Sequence, residues 1–259
     1  RLPGKVAVIT GGARGIGAGT AKLFAANGAH VVIADVLDDI GAALAASIGG
    51  RYIHCDVTLE SDVEAAVNLA VTWKGKIDIM FNNAGIPGRD GSITNLDPGD
   101  TNRILAVNLQ GVLNGIKHAA RSMIRTGTRG SIICAASSAA VMGGLGSHGY
   151  TASKGAVVAA ARSSACELGE YGIRVNCISA HGVPSEMLVG AYRRILGRAE
   201  MAAEEVAEIV GGGKVEDVAY GAVFLASEEE AGFVTGHNLV IDGGYTCANG
   251  NMSFIYRED

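Results

Sequence analysis

Aromatic residues make up only 5% of this 259-residue chain, with a single tryptophan, and proline occurs four times. A core of stacked aromatics is therefore excluded. The 48% apolar content must pack through small and branched aliphatic side chains. There is no basic surplus: 21 Lys and Arg stand against 26 Asp and Glu, a formal net charge of −5, and no basic stripe appears. Nucleic acid is accordingly not expected as a partner. Mean hydropathy is slightly positive, yet no run of about 18 apolar residues occurs, so no membrane span is expected. The five cysteines (Cys55, Cys134, Cys166, Cys177, Cys247) are an odd number without metal-type spacing, which suits a reducing compartment. Cys134 and Cys177 lie inside apolar runs and read as small core residues. The six histidines (His30, His54, His118, His148, His181, His237) are scattered and none pairs with Cys, Asp or Glu at ligand spacing, so no metal is expected.

What the chain does have is glycine. Its 38 glycines are about twice the usual share of about 7%. Without a collagen-like period, they point to tight turns and close backbone approaches. Between them lie short apolar runs, at residues 5–10, 30–34, 51–55, 77–81, 130–137, 173–179 and 238–242. These runs are near-continuous rather than alternating, the pattern of parallel strands covered on both faces. Helical patterns separate them, including a long one from about Asp100 to Arg125 and another over 151–170. The expected fold is α/β: a Rossmann-like, doubly wound, seven-stranded parallel sheet flanked by helices, forming one domain over 1–259. Residues 181–213 are long for a βα connection, where about two to six residues are usual. Their middle is helix-forming, so they are expected to be a small helical lid over the carboxyl edge of the sheet.

The first strand runs into Thr10-Gly11-Gly12-Ala13-Arg14-Gly15-Ile16-Gly17 and then a helix. Gly11 provides the sharp turn. Gly15 allows a pyrophosphate to reach backbone N–H groups, and Gly17 lets the helix pack closely. The second strand ends at Asp35, 18 residues beyond Gly17, where a carboxylate accepts the hydroxyls of an adenosine ribose and repels a 2′-phosphate. NAD is thus expected over NADP, by at least about tenfold or about 1.4 kcal/mol. Arg14 argues the other way, because it could meet a phosphate or equally pair with Asp35. Asp56 and Val57, after the third strand, are placed to bond and pack an adenine. Asn82-Asn83-Ala84-Gly85, after the fourth, falls at the crevice where open sheets bind ligands.

Tyr150 and Lys154 are four residues apart near a helix start and so share one face. A neighbouring ammonium favours a phenolate and lowers the phenol from about 10 toward working pH. Such a tyrosine is a general base for an alcohol or a general acid for a ketone. Ser137 and Ser138 end the fifth strand, where a hydroxyl could hold the substrate oxygen. Asn108, in a helix interior, is explained equally by packing or by holding water.

These motifs, together with Val107-Asn108-Leu109-Gln110-Gly111, Tyr150-Thr151-Ala152-Ser153-Lys154 and Arg174-Val175-Asn176, make the chain resemble the short-chain dehydrogenase/reductase superfamily over essentially its whole length. The resemblance implies Tyr150 as general acid/base and Lys154 as the residue that binds nicotinamide ribose and depresses the tyrosine. It implies Ser137 as the group orienting the reacting oxygen and Asn108 as the holder of a relay water. The cofactor set it implies is Gly11, Arg14, Gly15, Ile16, Gly17, Asp35, Asp56, Val57, Asn83, Ala84, Gly85, Tyr150, Lys154 and Val183. Segments such as 54–58, 118–121, 168–179 and 238–246 are similar to plant secondary-metabolism members, among them secoisolariciresinol, xanthoxin, borneol and iridoid-related dehydrogenases. That likeness implies a cytoplasmic, NAD-preferring homotetramer acting on apolar cyclic alcohols. The tetramer would form through the paired long helices near 100–125 and 151–170, whose alanines include Ala106, Ala119, Ala120, Ala156, Ala159 and Ala160, and through the last strand. The chain departs from the family after the sixth strand, where Ala180-His181 stands in place of the usual Pro-Gly.

The substrate, a small apolar alcohol or ketone, is expected between residues 138–148 and the lid. Met142, Leu145, Met187 and Leu188 would be its walls, beside Ser137. His148 and His181 could each bond a second substrate oxygen. Two other functions fit the same motifs less well. One is non-redox cyclisation or isomerisation of an iridoid-type substrate with bound NAD. The other is a catalytically silent scaffold, against which the intact Ser137, Tyr150 and Lys154 argue.

Overall fold

The apolar runs become strands because β-branched side chains fill them and glycines end them. The computed structural model describes residues 1–247. Seven strands form one sheet: β1 (Val6–Thr10), β2 (His30–Asp35), β3 (Arg51–His54), β4 (Ile79–Asn82), β5 (Ser131–Ala135), β6 (Arg174–Ala180) and β7 (Asn238–Ile241). Their spatial order is β3-β2-β1-β4-β5-β6-β7 and every pairing is parallel. Strand order reverses between β1 and β4, which opens a crevice at their carboxyl ends.

All five residues of β1 are buried. Val6 and Val8 feed one core with Val63, Ala66, Val112 and Val157, from helices α3 (Glu60–Lys74), α5 (Gly111–Thr126) and α6 (His148–Leu168). Ala7 and Ile9 feed a second core with Ala21, Phe24, Ala222 and Val223, from α1 (Gly15–Ala26) and α9 (Val215–Ala226). Two covered faces explain why the run is continuous rather than alternating. Ala119 and Ala120 of α5 are buried in the first core, so they pack within the fold.

The stretch expected as one helix from Asp100 to Arg125 is three pieces: α4 (Pro98–Leu105), a π-helical turn at Ala106–Gln110, and α5. The turn carries the fully buried Asn108, whose side chain bonds to Ile86 and Ser153 outside the helix. A single wide turn re-aims one residue without ending the helix. Helix α6 begins earlier than expected, because Ser147 caps it: its hydroxyl accepts from Tyr150 N (3.3 Å) and donates to Pro87 O (3.0 Å). Remaining helices include α2 (Asp38–Ser47) and, within 181–213, α7 (Glu186–Leu196) and α8 (Ala203–Val210). This insert has its own small core of Val189, Met201, Val206 and Val210. Arg193 donates twice to Met201 O, closing the insert on itself.

Cys134 and Cys177 face each other in register on β5 and β6, both buried and free. Among the described residues, no helix is long and apolar enough to cross a membrane, and no group of three or more His, Cys, Asp or Glu converges on a metal site.

Candidate active site

The crevice is a cleft of about 410 Å³ running from Asp35 to Lys154. At one end, Gly11 adopts φ +61°, and a Cβ there would stand 2.8 Å from Ala84 Cα. Only glycine lets the ends of β1 and β4 come this close. A Cβ on Gly17 would sit 2.1 Å from Gly11 O and 2.7 Å from the Asn83 amide, so α1 packs onto the turn without room for a side chain. Asn83 clamps the turn: its amide donates to Thr10 O (3.0 Å) and Gly11 O (2.9 Å). Asp35 is buried, and its two oxygens accept from Ala13 N (2.9 Å) and Leu37 N (3.1 Å). Each oxygen keeps lone pairs for a further donor. Asp56 bonds Thr58 and lines the cleft beside Val57. This end fits an adenosine dinucleotide, with close-approach glycines opposite a carboxylate.

Arg14 pairs with Glu186 in the first turn of α7, at 2.5 Å, rather than with Asp35. The ion pair spans the cleft mouth, and both residues line it.

At the other end Tyr150 stands in the first turn of α6 and Lys154 one turn later. The Lys154 ammonium donates to Ala135 O at 2.7 Å and lies 5.7 Å from the Tyr150 ring centre. Burial lowers Lys154 to about 8. Burial also pushes Tyr150 above its ordinary value, and hydrogen bonding from Ser137 offsets part of that rise. The expected lowering of the phenol by Lys154 is not found in this geometry: desolvation dominates, and the ammonium is turned to the Ala135 carbonyl. Ser137 Oγ accepts from Ala139 N (3.1 Å), which leaves its own proton directed at the Tyr150 phenol oxygen. Asn108 clamps Ile86, accepting from its N (2.8 Å) and donating to its O (3.0 Å). A Cβ on Gly85 would lie 3.3 Å from Asn108 Oδ1 and 3.5 Å from Lys154 Nζ, so these groups share one neighbourhood.

The family profile described as Enoyl-(Acyl carrier protein) reductase matches residues 11–246. The chain is 56% identical to Short-chain dehydrogenase reductase ATA1 of Arabidopsis thaliana, covering 99% of this chain and 98% of that one. This chain belongs to the short-chain dehydrogenase/reductase superfamily. It is also 48% identical to Secoisolariciresinol dehydrogenase of Forsythia intermedia, across 100% of this chain and 95% of that protein. Among solved structures, Levodione Reductase superposes with a TM-score of 0.89 at 29% identity, covering 96% of this chain and all (100%) of that one. The protein is thus an oxidoreductase of the short-chain type, a family that uses a nicotinamide dinucleotide.

In this dehydrogenase/reductase the cleft gathers Gly11, Arg14, Gly15, Ile16, Asp35, Asp56, Val57, Asn83, Ala84, Gly85, Tyr150, Lys154 and Met187. Val183 instead lies in the second core. Leu188 packs against the core of the insert. Met142 and His148 are exposed and Leu145 is half-buried. Gly146 ties this segment to the site, since a Cβ there would stand 2.8 Å from the Tyr150 ring. His181 is buried with both ring nitrogens bonded inside the protein. Sequence reasoning missed Glu186 and Ser185 in the cleft wall. The serine-then-acid start of α7 was the available signal.

Proposed function

We propose that the protein is an NAD-dependent alcohol dehydrogenase or ketone reductase acting on an apolar cyclic secondary alcohol or its ketone, of terpenoid-like shape. The observation that carries this reading is the single cleft joining the Asp35 carboxylate to the Tyr150–Lys154 pair. The nicotinamide, when bound, supplies or accepts the hydride. Tyr150 then moves the proton on the substrate oxygen, and Ser137, whose hydroxyl faces the Tyr150 phenol, orients that oxygen. Lys154 holds the nicotinamide ribose, and Asn108, with the Ile86 peptide it clamps, keeps the wall beside Lys154 in place. Asp35 selects NAD by accepting the ribose hydroxyls. Arg14, taken up by Glu186, does not offset that selection. Residues 181–213 act as the lid. With Met142, Leu145 and Met187, the substrate side offers apolar area worth about 25 cal/mol per Å² buried.

A raised Tyr150 stays protonated through neutral pH, so it serves directly as the acid for ketone reduction. Alcohol oxidation needs the phenolate and should accelerate as pH rises. The test is reduced-nicotinamide absorbance with cyclohexanol, menthol and borneol and with their ketones, using NAD and NADP. Turnover of a cyclic alcohol with NAD preferred supports the reading. A hydroxy acid or sugar phosphate that exceeds every apolar alcohol in kcat/KM would sink it. The reading extends to a cytoplasmic homotetramer. Light scattering at micromolar concentration checks the assembly, and a 26.4 kDa species would exclude it.

A further inference from the structure

His181 stands directly after β6, where the family pattern has Pro-Gly and no polar side chain. Its Nε2 lies 3.1 Å from Val210 O. A carbonyl only accepts, so Nε2 carries a proton, and in the neutral ring Nδ1 is then the acceptor. Ser138 Oγ, 2.9 Å from Nδ1, is therefore the donor. The ring also stacks on Tyr245, centre to centre 3.9 Å at 20°. One buried imidazole thus joins the end of β5, the end of α8 and the segment after β7.

Two consequences follow at the site. First, Ser137 and Ser138 are adjacent hydroxyls at the start of the 3-10 turn that follows β5, two and three residues past the strand end at Ala135, but the Ser138 proton is committed to His181. Ser137 is left as the hydroxyl that serves Tyr150. Second, the insert closes at a narrow neck. A Cβ on Gly212 would stand 1.7 Å from Gly182 O, and one on Gly182 would stand 2.9 Å from Gly212 Cα. The two strands of the neck meet through side-chain-free backbone, and the His181–Val210 bond ties them.

We infer that His181 is a positioning residue: it pins the neck of the lid and withholds Ser138 so that Ser137 alone addresses the reacting oxygen. The second half of this rests on the redox reading above; the first does not.

Substitutions that keep one half of the imidazole separate the two roles. His181→Gln retains a donor near the Nε2 position, and His181→Asn retains an acceptor near the Nδ1 position. Amide exchange over residues 203–213, read by mass spectrometry with and without saturating NADH, reports the neck. Kinetics with the best-used alcohol among cyclohexanol, menthol and borneol report the serine. His181→Ala should exchange about tenfold faster at the neck, the scale of one lost buried hydrogen bond, with KM raised and kcat lowered. His181→Gln should restore exchange and KM but not kcat. His181→Asn should restore kcat but not exchange. NADH affinity should stay within about twofold throughout, as expected for a residue outside the dinucleotide cleft. If His181→Ala leaves exchange unchanged, or if Gln and Asn behave alike, the inference is wrong. Should His181→Ala fail to fold, the crossed pattern of Gln and Asn decides alone. If none of the alcohols is turned over, the redox reading fails, while the exchange data still decide the pin.

Discussion

At the nucleotide end of the cleft, Gly11 and Gly17 allow close main-chain approach, and the Asn83 and Asp35 side chains bond to the main chain of the turn, at the ends of three central strands. At the substrate end, Met142 and His148 are exposed, and the wall opposite is an insert with a separate four-residue buried core. The first end is set by main-chain approach and by side chains bonded to that main chain. The second is set by side chains and by how a small helical pair sits on its neck. Cofactor recognition should therefore fail abruptly on substitution, whereas substrate choice should drift by degrees.

Tyr150, where the two ends meet, gives the largest expected effect. Tyr150→Phe should lower kcat by about 10²–10⁴-fold, the usual worth of positioned acid/base catalysis, with NADH affinity unchanged. An active variant would place the acid/base elsewhere. Gly17→Ala probes the nucleotide end. A methyl 2.1 Å from Gly11 O and 2.7 Å from the Asn83 amide that clamps the turn must displace both, so the loss should exceed the about 1–3 kcal/mol of ordinary overpacking and abolish measurable NADH binding. Retained affinity by calorimetry would show that this end yields after all. Asp35→Ser should narrow the NAD-over-NADP ratio by about tenfold or more, read by titrating both reduced cofactors; a constant ratio would assign discrimination to another group.

Lys154 offers a pH test. Its folded value of about 8 lies below the ordinary 10.5. Below about pH 8 the ammonium is charged in both folded and unfolded chains, and its burial opposes folding in full. Between about 8 and 10.5 the folded chain releases a proton that the unfolded chain keeps, so this opposition fades as pH rises. The stability of Lys154→Met minus that of wild type, from denaturant unfolding, should therefore decline across that window, by about 1–3 kcal/mol. A flat difference would mean that the amine is not desolvated. The smallest effects belong to the exposed wall. Met142→Ala and Leu145→Ala should reorder cyclic alcohols by no more than about tenfold each and leave NADH binding intact. Collapse of activity in either would show the substrate end to be as sensitive to substitution as the other.

The contrast also explains what was legible in the chain. The seven strands, the glycine turn, Asp35 and the Tyr150–Lys154 spacing were readable because each rests on local rules: β-branched runs, close approach at glycine, and helical periodicity. The π-turn at Asn108 was not, because it is set by bonds to Ile86 and Ser153, 22 and 45 residues away. The start of α6 was placed late, although Ser147 supplied the capping signal. The partner of Arg14 lies 172 residues away in the insert, and no local pattern pairs them. The opposed shifts of Tyr150 and Lys154 depend on burial in the finished fold, which spacing alone does not report.

The five thiols carry a last consequence. Cys55, Cys134 and Cys177 are buried, and burial pushes Cys55 and Cys177 up to about 12 and Cys134 well above its ordinary value. Cys166 and Cys247 face outward. A thiol reagent at neutral pH thus meets two exposed partners, one buried thiol beside the cleft (Cys55), and two, Cys134 and Cys177, that answer only when the sheet opens. Chain opening can be timed by counting labels per molecule, and the two outward sulfurs are attachment points for a probe that leaves the cleft untouched.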